Sequence, residues 1–290
     1  MDFQLLGLRI SRTENLTVRP SVLIQILRHY EDPNVSPRSL EKIIEQDPAL
    51  TAKVLRVASS SMYGAKSTTS VGRALSVLGM NTLRSVAISL AYQHILAGKG
   101  AGGANFDRAI FGRHCLAVAV GAKAIAKIMA PDLAEEMYVA GLMHDVGILT
   151  LDRFCASHLN LSIKKALYNG VTLIKAETEV FGFDHCKVGG FLAEKWKLSP
   201  MMVSAIKHHH NPHADPTNPL STAIVIGANF LAYQCGFPAM PNIVGHTEGA
   251  LHFKELGLNE DQVEAIMSTI LAEVEQAEKT YGEKQTAAAA

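Results

Sequence analysis

The sequence predicts an all-α protein, a bundle of about 13 helices. Two observations carry this prediction. Apolar residues recur at helical spacing in nearly every segment of the chain. Pro, Gly, Ser and Asp residues separate these segments at the points where helices begin and end. Short apolar helices joined by capped turns are typical of an antiparallel helical bundle.

The first hundred residues show the helix ends most clearly. The boundaries here share a capping or helix-breaking residue: Pro20 at a start, Asp32-Pro33 at an end, Ser36-Pro37 and Asp47-Pro48 at starts, and Gly79 at an end. A long helix is predicted from Asn81 toward His94. These segments make up the first of two helical halves.

The segment Gly98-Lys-Gly-Ala-Gly-Gly-Ala-Asn105 is predicted to be a flexible linker between the halves, which span about 17–97 and 104–235. A phosphate-binding loop is the weaker alternative, because no Gly-Lys-Ser/Thr follows. Residues 17–235 then form one domain, between an N-terminal arm over 1–16 and a helical extension over 236–280. A disordered tail is expected over 281–290. Residues 3–10 could form either a short strand or part of the arm. The extension contains an amphipathic helix after Asn259, expected to pack on the second half.

Composition excludes several classes of function. The 290 residues carry 27 basic and 27 acidic side chains, and no Lys/Arg cluster of the kind that follows a phosphate backbone. A nucleic-acid partner is therefore not expected. No apolar run is expected to be long enough to span a bilayer, so no membrane association is expected either. The four cysteines lack C-x-x-C spacing and are interpreted as buried free thiols in a reducing cytoplasm.

The pair His144-Asp145 is the most informative feature of the chain. It ends an apolar helical stretch, and Gly147 is expected to interrupt the helix just beyond it. Imidazole and carboxylate are both good ligands for transition metals, and a carboxylate can bridge two ions. Taken alone, the pair is better explained as a helix-end histidine beside a capping carboxylate.

Other histidines make the metal site more plausible. His114 precedes the pair on one predicted helix, His185 opens another, and His208, His209 and His210 stand together before Asn211-Pro212. Because each group belongs to a different helix, a bundle could bring them to one point. We expect His114, His144, Asp145, His185, His209 and His210 to converge, and His208 to point away. Arg113 could contact a phosphate, although an arginine in such a position is more often a solvated residue on a helix surface.

The order of these histidines resembles that of the HD superfamily of metal-dependent phosphohydrolases. The surrounding sequence resembles the regulatory branch of that superfamily, the HDOD domain. The resemblance rests on three stretches: residues 44–64 with Asp-Pro-Ala-Leu-Thr-Ala-Lys-Val-Leu-Arg, residues 71–84, and Ala140-Gly-Leu-Met-His-Asp-Val-Gly147 with the later histidines. It covers about residues 17–235. It implies an HD-like helical bundle holding one or two divalent metals on the six residues named above, with Asp145 as the catalytic residue if the site is active.

Three departures from the family pattern affect the expected chemistry. Asn229 stands where the superfamily has its final Asp ligand, Ile148 stands where the cyclic-dinucleotide hydrolases have a Lys, and Ala58-Ser59-Ser60 replaces the usual Asn-Ser. Asn offers a carbonyl oxygen but no negative charge. The imidazole-rich donor set favours Fe, Zn, Ni or Mn over Mg.

Two main hypotheses of function follow. The resemblance implies a signal-transduction module of a bacterial cytoplasm, without strong catalysis, that acts through a protein partner or by sensing a ligand. The alternative is a metal-dependent phosphohydrolase acting on a nucleotide or another phosphate ester. A sensor that binds a nucleotide or phosphate without turnover lies between them. The missing acidic ligand at Asn229 favours the first hypothesis.

Overall fold

A computed structural model of the chain describes residues 2–12, 20–28, 36–60, 68–97, 105–243, 253 and 255–282. Within these residues all regular secondary structure is helical, in fourteen α-helices and two short 3-10 helices, which confirms the all-α prediction. In chain order the α-helices are α1 Phe3–Arg12, α2 Pro20–Arg28, α3 Pro37–Glu45, α4 Pro48–Ala58, α5 Val71–Leu78, α6 Met80–Ala97, α7 Arg108–Met129, α8 Ala134–Met143, α9 Val146–Asn169, α10 Leu173–Phe181, α11 His185–Lys195, α12 Pro200–His208, α13 Pro219–Gln234 and α14 Glu260–Gly282.

The chain divides into two compact units. The smaller unit comprises Glu14–Gly98 and Trp196–Leu198 and contains α2 to α6. The larger unit comprises Met1–Thr13, Lys99–Lys195 and Ser199–Ala290 and contains α1 and α7 to α14. The expected helix end at Asp32-Pro33 and most of the expected linker, residues 98–104, lie outside the described residues.

Helix caps in the smaller unit are those expected from the sequence. The Ser36 hydroxyl accepts a hydrogen bond from the main-chain N–H of Ser39 at the start of α3. The Asp47 carboxylate accepts the N–H of Ala49 at 2.9 Å at the start of α4. Gly79 ends α5 with a φ of 76°, a conformation that a residue without a Cβ adopts at little cost. These local contacts satisfy N–H and C=O groups that the helix ends leave unpaired.

Helix α7 lies at the centre of the larger unit, in contact with α8, α13 and α14. Small side chains, including Ala117, Ala119 and Ala122, are fully buried along it and allow close packing. Its length and apolar composition suffice for a membrane span, so the expectation that no such run exists is wrong. However, 61% of its apolar window is buried inside the protein, as in the core helix of a folded domain. Helices α5 and α6 are long and apolar enough for a membrane span only when they are taken together, and a 119° bend separates them.

Two glycines set how closely the helices around His144-Asp145 approach their neighbours. A Cβ atom on Gly141 in α8 would lie 2.8 Å from the carbonyl oxygen of Val118 in α7. A Cβ atom on Gly147 in α9 would lie 1.9 Å from the carbonyl oxygen of His185 in α11. The expectation that Gly147 interrupts the helix is therefore wrong. Gly147 lies in the first turn of α9, and the break falls before it, at the pair itself.

The two ends of the described chain are both helical. Residues 3–12 form α1, whereas the sequence left a strand or an arm open. In α1, Leu6 and Ile10 are buried. The Phe3 ring packs edge-on against the Phe183 ring, with 5.1 Å between the ring centroids. At the other end, α14 begins after Asn259 as expected, buries Ile270, and continues to Gly282. It therefore extends two residues into the expected tail, whose remaining residues, 283–290, lie outside the described part.

Candidate metal centre

Two histidines enter the site from the close contact between α7 and α8. His114 lies on α7 and His144 directly follows α8, and both are buried. His114 Nδ1 donates to the carbonyl oxygen of Phe237 at 2.8 Å, and His144 Nδ1 donates to that of Gly141 at 2.7 Å. A carbonyl can only accept, so each of these bonds places a proton on Nδ1. In the neutral form of each ring the lone pair is then on Nε2, the atom that faces the site.

Asp145 is the common neighbour of four histidines. Its Oδ2 lies 3.2 Å from His144 Nε2 and 3.8 Å from His114 Nε2. Its Oδ1 lies 3.2 Å from His185 Nε2 and 3.1 Å from His209 Nε2. The carboxylate is 4% exposed, so these nitrogens and not water surround it. One carboxylate among four imidazoles is the arrangement expected of a carboxylate that shares its two oxygens between metal positions.

A buried glutamate holds His185 from behind. Glu177, on α10, is fully buried, and its Oε2 accepts both the main-chain N–H of His185 at 3.0 Å and the ring Nδ1–H at 2.6 Å. The second bond fixes the orientation and tautomer of the ring, with Nε2 directed at Asp145. A carboxylate behind a histidine is a recurring partner of metal ligands.

His209 and His210 follow α12 and complete the donor set. The Nδ1 of His209 donates to the carbonyl oxygen of Ile206 at 2.9 Å, and its Nε2 faces Asp145. The Nε2 atoms of His210 and His185 are 3.1 Å apart. The Cys186 thiol lies beside His209, with Sγ 3.8 Å from Nδ1 and 3.9 Å from Nε2. The donors therefore form two groups, His114 with His144 and Asp145, and His185 with Cys186, His209 and His210.

A small cavity of about 30 Å³ lies against these residues. Its lining includes four of the predicted ligands, His114, Asp145, His185 and His210, and also Ile148, Asn229 and Tyr233. The Oδ1 atom of Asn229 is buried and has no hydrogen-bond partner within the part of the chain that the structure describes. The volume suits an ion and one or two waters, and is far below the roughly 300 Å³ or more of typical small-molecule sites.

The electrostatics of the site differ from one histidine to the next. Burial, with a further contribution from His144, lowers the pKa of His114 to about 4, so this ring is neutral at pH 7. Burial also opposes charge on His209, but Cys186 and Asp145 outweigh it and raise the pKa of His209 to about 10. The pKa of the Asp145 carboxyl lies well below its usual value, because the histidine contacts outweigh the cost of burial.

These groups fit a metal ion. Among the described residues, the Nε2 atoms of His114 and His144 are buried without a hydrogen-bond partner, and both face a carboxylate oxygen. Lone pairs facing a carboxylate repel one another unless a cation lies between them. A cation between His209 and Asp145 would likewise take the place of the Nε2 proton, as in metal sites that release protons on binding.

The structure brings all six predicted ligands together. His208 does not take part in either donor group, as expected. Arg113 lies away from the cavity. Half exposed, it forms an ion pair with Glu278 at 2.5 Å and stacks over Phe237. Roles for Glu177 and Tyr233 were not predicted from the sequence, and Cys186 was predicted only to be a buried free thiol. The position of Cys186 next to His185 was the one available signal, whereas nothing in the sequence distinguishes Glu177 from Glu179, the other glutamate of α10.

A family model, that of the HDOD domain, matches residues 16–212 of the chain. The chain belongs to the HDOD domain family. The fold agrees, since a crystal structure of an HDOD domain protein with unknown function from Geobacter sulfurreducens superposes with a TM-score of 0.77 at 25% identity, covering 96% of this chain and 97% of that one.

Two further solved structures share the fold at lower identity. A candidate signal transduction protein from Marinobacter aquaeolei has a TM-score of 0.71 at 22% identity, covering 93% of this chain and 64% of that one. A candidate phosphohydrolase from Shewanella amazonensis has a TM-score of 0.64 at 21% identity, covering 90% of this chain and 97% of that one. At these identities the likeness concerns the fold alone. An uncharacterized protein of Treponema pallidum is 26% identical over 215 residues, which is 70% of this chain and 39% of that relative.

Proposed function

We propose that this HDOD protein is a metal-binding regulatory module that acts through a protein partner and hydrolyses phosphate esters weakly or not at all. One observation carries the proposal. Four imidazoles surround Asp145, but the cavity beside them has a volume of only about 30 Å³. That volume accommodates a metal ion with its water and not a nucleotide.

The proposed ligands are the six residues predicted from the sequence: His114, His144, Asp145, His185, His209 and His210. Their nitrogen-rich character favours Zn, Fe, Ni or Mn over Mg. A bound metal would supply Lewis acidity and lower the pKa of a bound water. The chain's own part is to hold the imidazoles in the correct tautomer, through the carbonyl oxygens behind His114, His144 and His209 and the carboxylate behind His185.

Two residues at the cavity argue against efficient hydrolysis. Asn229 brings an amide oxygen and no negative charge, so a divalent cation is less well compensated there. Ile148 brings no cation to neutralise a phosphate in the transition state. Electrostatic stabilisation is commonly worth about 3 kcal/mol per group, so the lack of two groups should cost about four powers of ten in rate.

A metal-dependent phosphohydrolase is the second candidate function. It is favoured by the convergence of five histidines with Asp145 and by the Shewanella amazonensis structure, whose name describes a candidate phosphohydrolase. It requires the cavity to open enough to admit a phosphate ester. The balanced charge of the chain offers no support for a nucleic-acid partner in either case.

Metal analysis combined with a phosphodiesterase assay tests the proposal. We expect the purified protein to bind Zn²⁺ or Mn²⁺, and the metal-loaded protein to show negligible turnover of a cyclic dinucleotide and of a simple phosphodiester. Asn229→Asp should tighten metal binding, because it restores the missing charge. Asn169→Asp makes the same charge change at an exposed position and should leave binding unchanged. Robust turnover by the metal-loaded wild type would overturn the regulatory proposal in favour of the hydrolase.

A further inference from the structure

Cys186 lies among the donors of the site, although the resemblance to the HD superfamily assigns it no role. One ligand atom from each of His185, Cys186, His209 and His210 lies within 4.8 Å of the other three. The thiol is 5% exposed. The four side chains come from two places only, the first turn of α11 and the residues that follow α12. Two neighbouring helix ends therefore present three imidazoles and one thiol to the same small volume.

The distances match those around a single small cation. Zinc binds sulfur at about 2.3 Å and imidazole nitrogen at about 2.0–2.1 Å, which places S and N ligands of a tetrahedral ion roughly 3.6 Å apart and two N ligands roughly 3.4 Å apart. Cys186 Sγ lies 3.8 and 3.9 Å from the ring nitrogens of His209. The Nε2 atoms of His185 and His210 are 3.1 Å apart. The nearly equal distances from Sγ to the two ring nitrogens place the thiol over the face of the His209 ring, so the Cys186 side chain would rotate to reach an ion bound at Nε2.

The start of α11 also favours a thiolate at this place. Asp184 accepts the main-chain N–H of Lys187 at 2.9 Å and so caps the helix just before His185 and Cys186. Cys186 is thus in the first turn of an 11-residue helix, where the helix dipole stabilises negative charge. The thiolate form is the one that binds metals.

We propose that the Cys186 thiolate is a direct ligand of the metal ion held by His185, His209 and His210, adding a sulfur donor beside the Asp145 oxygen that faces the same ring nitrogens. This inference rests on the proposed metal-binding function. On binding, the metal–sulfur bond forms as the thiol S–H bond breaks, and the proton passes to solvent. A soft sulfur donor makes the site selective for Zn²⁺ and Co²⁺ over Mn²⁺, which prefers oxygen ligands.

Cobalt substitution tests the ligand directly, because a thiolate bound to Co²⁺ gives a strong charge-transfer absorption in the near ultraviolet that imidazole and carboxylate do not. The Co²⁺-loaded wild type should show this band. Cys186→Ser should abolish it and weaken Zn²⁺ binding by about 100-fold or more, beyond the roughly 10–100-fold cost of losing a partner behind a ligand. Mn²⁺ affinity should change less than threefold. Cys115→Ser, at a buried thiol outside both donor groups, should keep the band.

A second variant keeps the test decisive if Cys186→Ser does not fold. With Cys115, Cys155 and Cys235 all replaced by Ser, Cys186 is the single thiol of the chain, and the Co²⁺ band should persist. Bound Co²⁺ without the band, or a band that survives in Cys186→Ser, would overturn the thiolate ligand and leave the metal-binding proposal intact. Failure of the wild type to bind Co²⁺, Zn²⁺ and Mn²⁺ would overturn both.

Discussion

At the scale of single residues, the side chains behind the candidate ligands matter as much as the ligands. Each of four histidines donates its Nδ1 proton to an oxygen atom, three times to a main-chain carbonyl and once to Glu177. The outward bond determines the tautomer, and the tautomer places Nε2 toward Asp145. The hydrogen bonds behind the histidines therefore orient the donor nitrogens independently of a metal ion.

Glu177 provides the sharpest test at this scale. Glu177→Gln keeps the size of the side chain but removes the charge that holds the His185 ring, so Zn²⁺ affinity should fall by about 10–100-fold. Competition with a chromophoric chelator measures it. Glu179→Gln is the matched control on the same helix, since Glu179 pairs with Lys165 at the surface. Equal affinities for the two variants would show that Glu177 does not position His185 for metal binding.

Asp215 is expected to make stability depend on acid. Its carboxylate is buried and accepts hydrogen bonds from the hydroxyl groups of Ser204 at 2.6 Å and Thr222 at 2.5 Å. Burial opposes the negative charge, but these hydrogen bonds outweigh the effect of burial and hold the pKa of Asp215 below the usual 3.8. Because the pKa is lower in the folded than in the unfolded protein, the carboxylate stabilises the folded state fully above pH 3.8. This stabilisation is lost as the pH falls below 3.8 toward the folded-state pKa. Asp215→Asn should therefore cost about 2–4 kcal/mol at pH 7 and progressively less below pH 4.

Urea denaturation at pH 7 and pH 3 checks the Asp215 prediction. Asp132→Asn, at an exposed carboxylate, should leave the free energy of unfolding almost unchanged at both values. A constant difference between wild type and Asp215→Asn across this pH range would contradict the argument, because it would mean that the carboxylate charge contributes nothing.

At the scale of helices, close backbone contacts bring the ligands into range of one another. Gly141 lets α8 approach α7, and Gly147 lets α9 approach α11. These two contacts flank the His144-Asp145 pair, so the pair lies between the α7–α8 contact and the α9–α11 contact. Larger side chains at either glycine would separate the helices and with them the donors.

Gly147→Ala tests this role. The added methyl would lie 1.9 Å from the main-chain oxygen of His185, which cannot move without shifting α11, so we expect destabilisation of about 3 kcal/mol or more and weakened metal binding. Gly72→Ala is the control, because the nearest atom there is the end of the flexible Glu41 side chain at 3.2 Å. The midpoints of urea denaturation give the comparison. Similar midpoints for both variants would refute the close-contact argument.

At the scale of the whole molecule, every candidate ligand belongs to the larger of the two units. A metal that binds only the folded form stabilises the unit that holds it, by about 2.7 kcal/mol at a hundredfold excess over Kd. Zn²⁺ should therefore slow amide exchange about 100-fold in the donor-bearing helices α7, α11 and α12. Hydrogen exchange followed by mass spectrometry, with α3 and α4 as internal controls, measures this. Protection equal in all these helices would contradict a site confined to the larger unit.

The family, the fold class and most of the site residues could be predicted from the sequence, because each depends on contacts between residues close in the chain or on the order of motifs along it. Caps at Ser36, Asp47 and Gly79 are contacts between residues close in the chain. The order of the six ligands identified the family, and the structure places all six together. The misjudged features have physical reasons too. A glycine required for close packing resembles a helix breaker, and a buried core helix such as α7 has the composition of a membrane span.

By itself the sequence identified six side chains that the structure brings together, and in Asn229 and Ile148 which charges the site lacks. Only the tertiary structure decided that Glu177 holds His185, that Cys186 lies beside His209, and that the cavity is about 30 Å³. The physical reason is that these facts depend on distances between separate helices. Those distances are set by packing at positions such as Gly147, where a single Cβ would collide with the neighbouring helix.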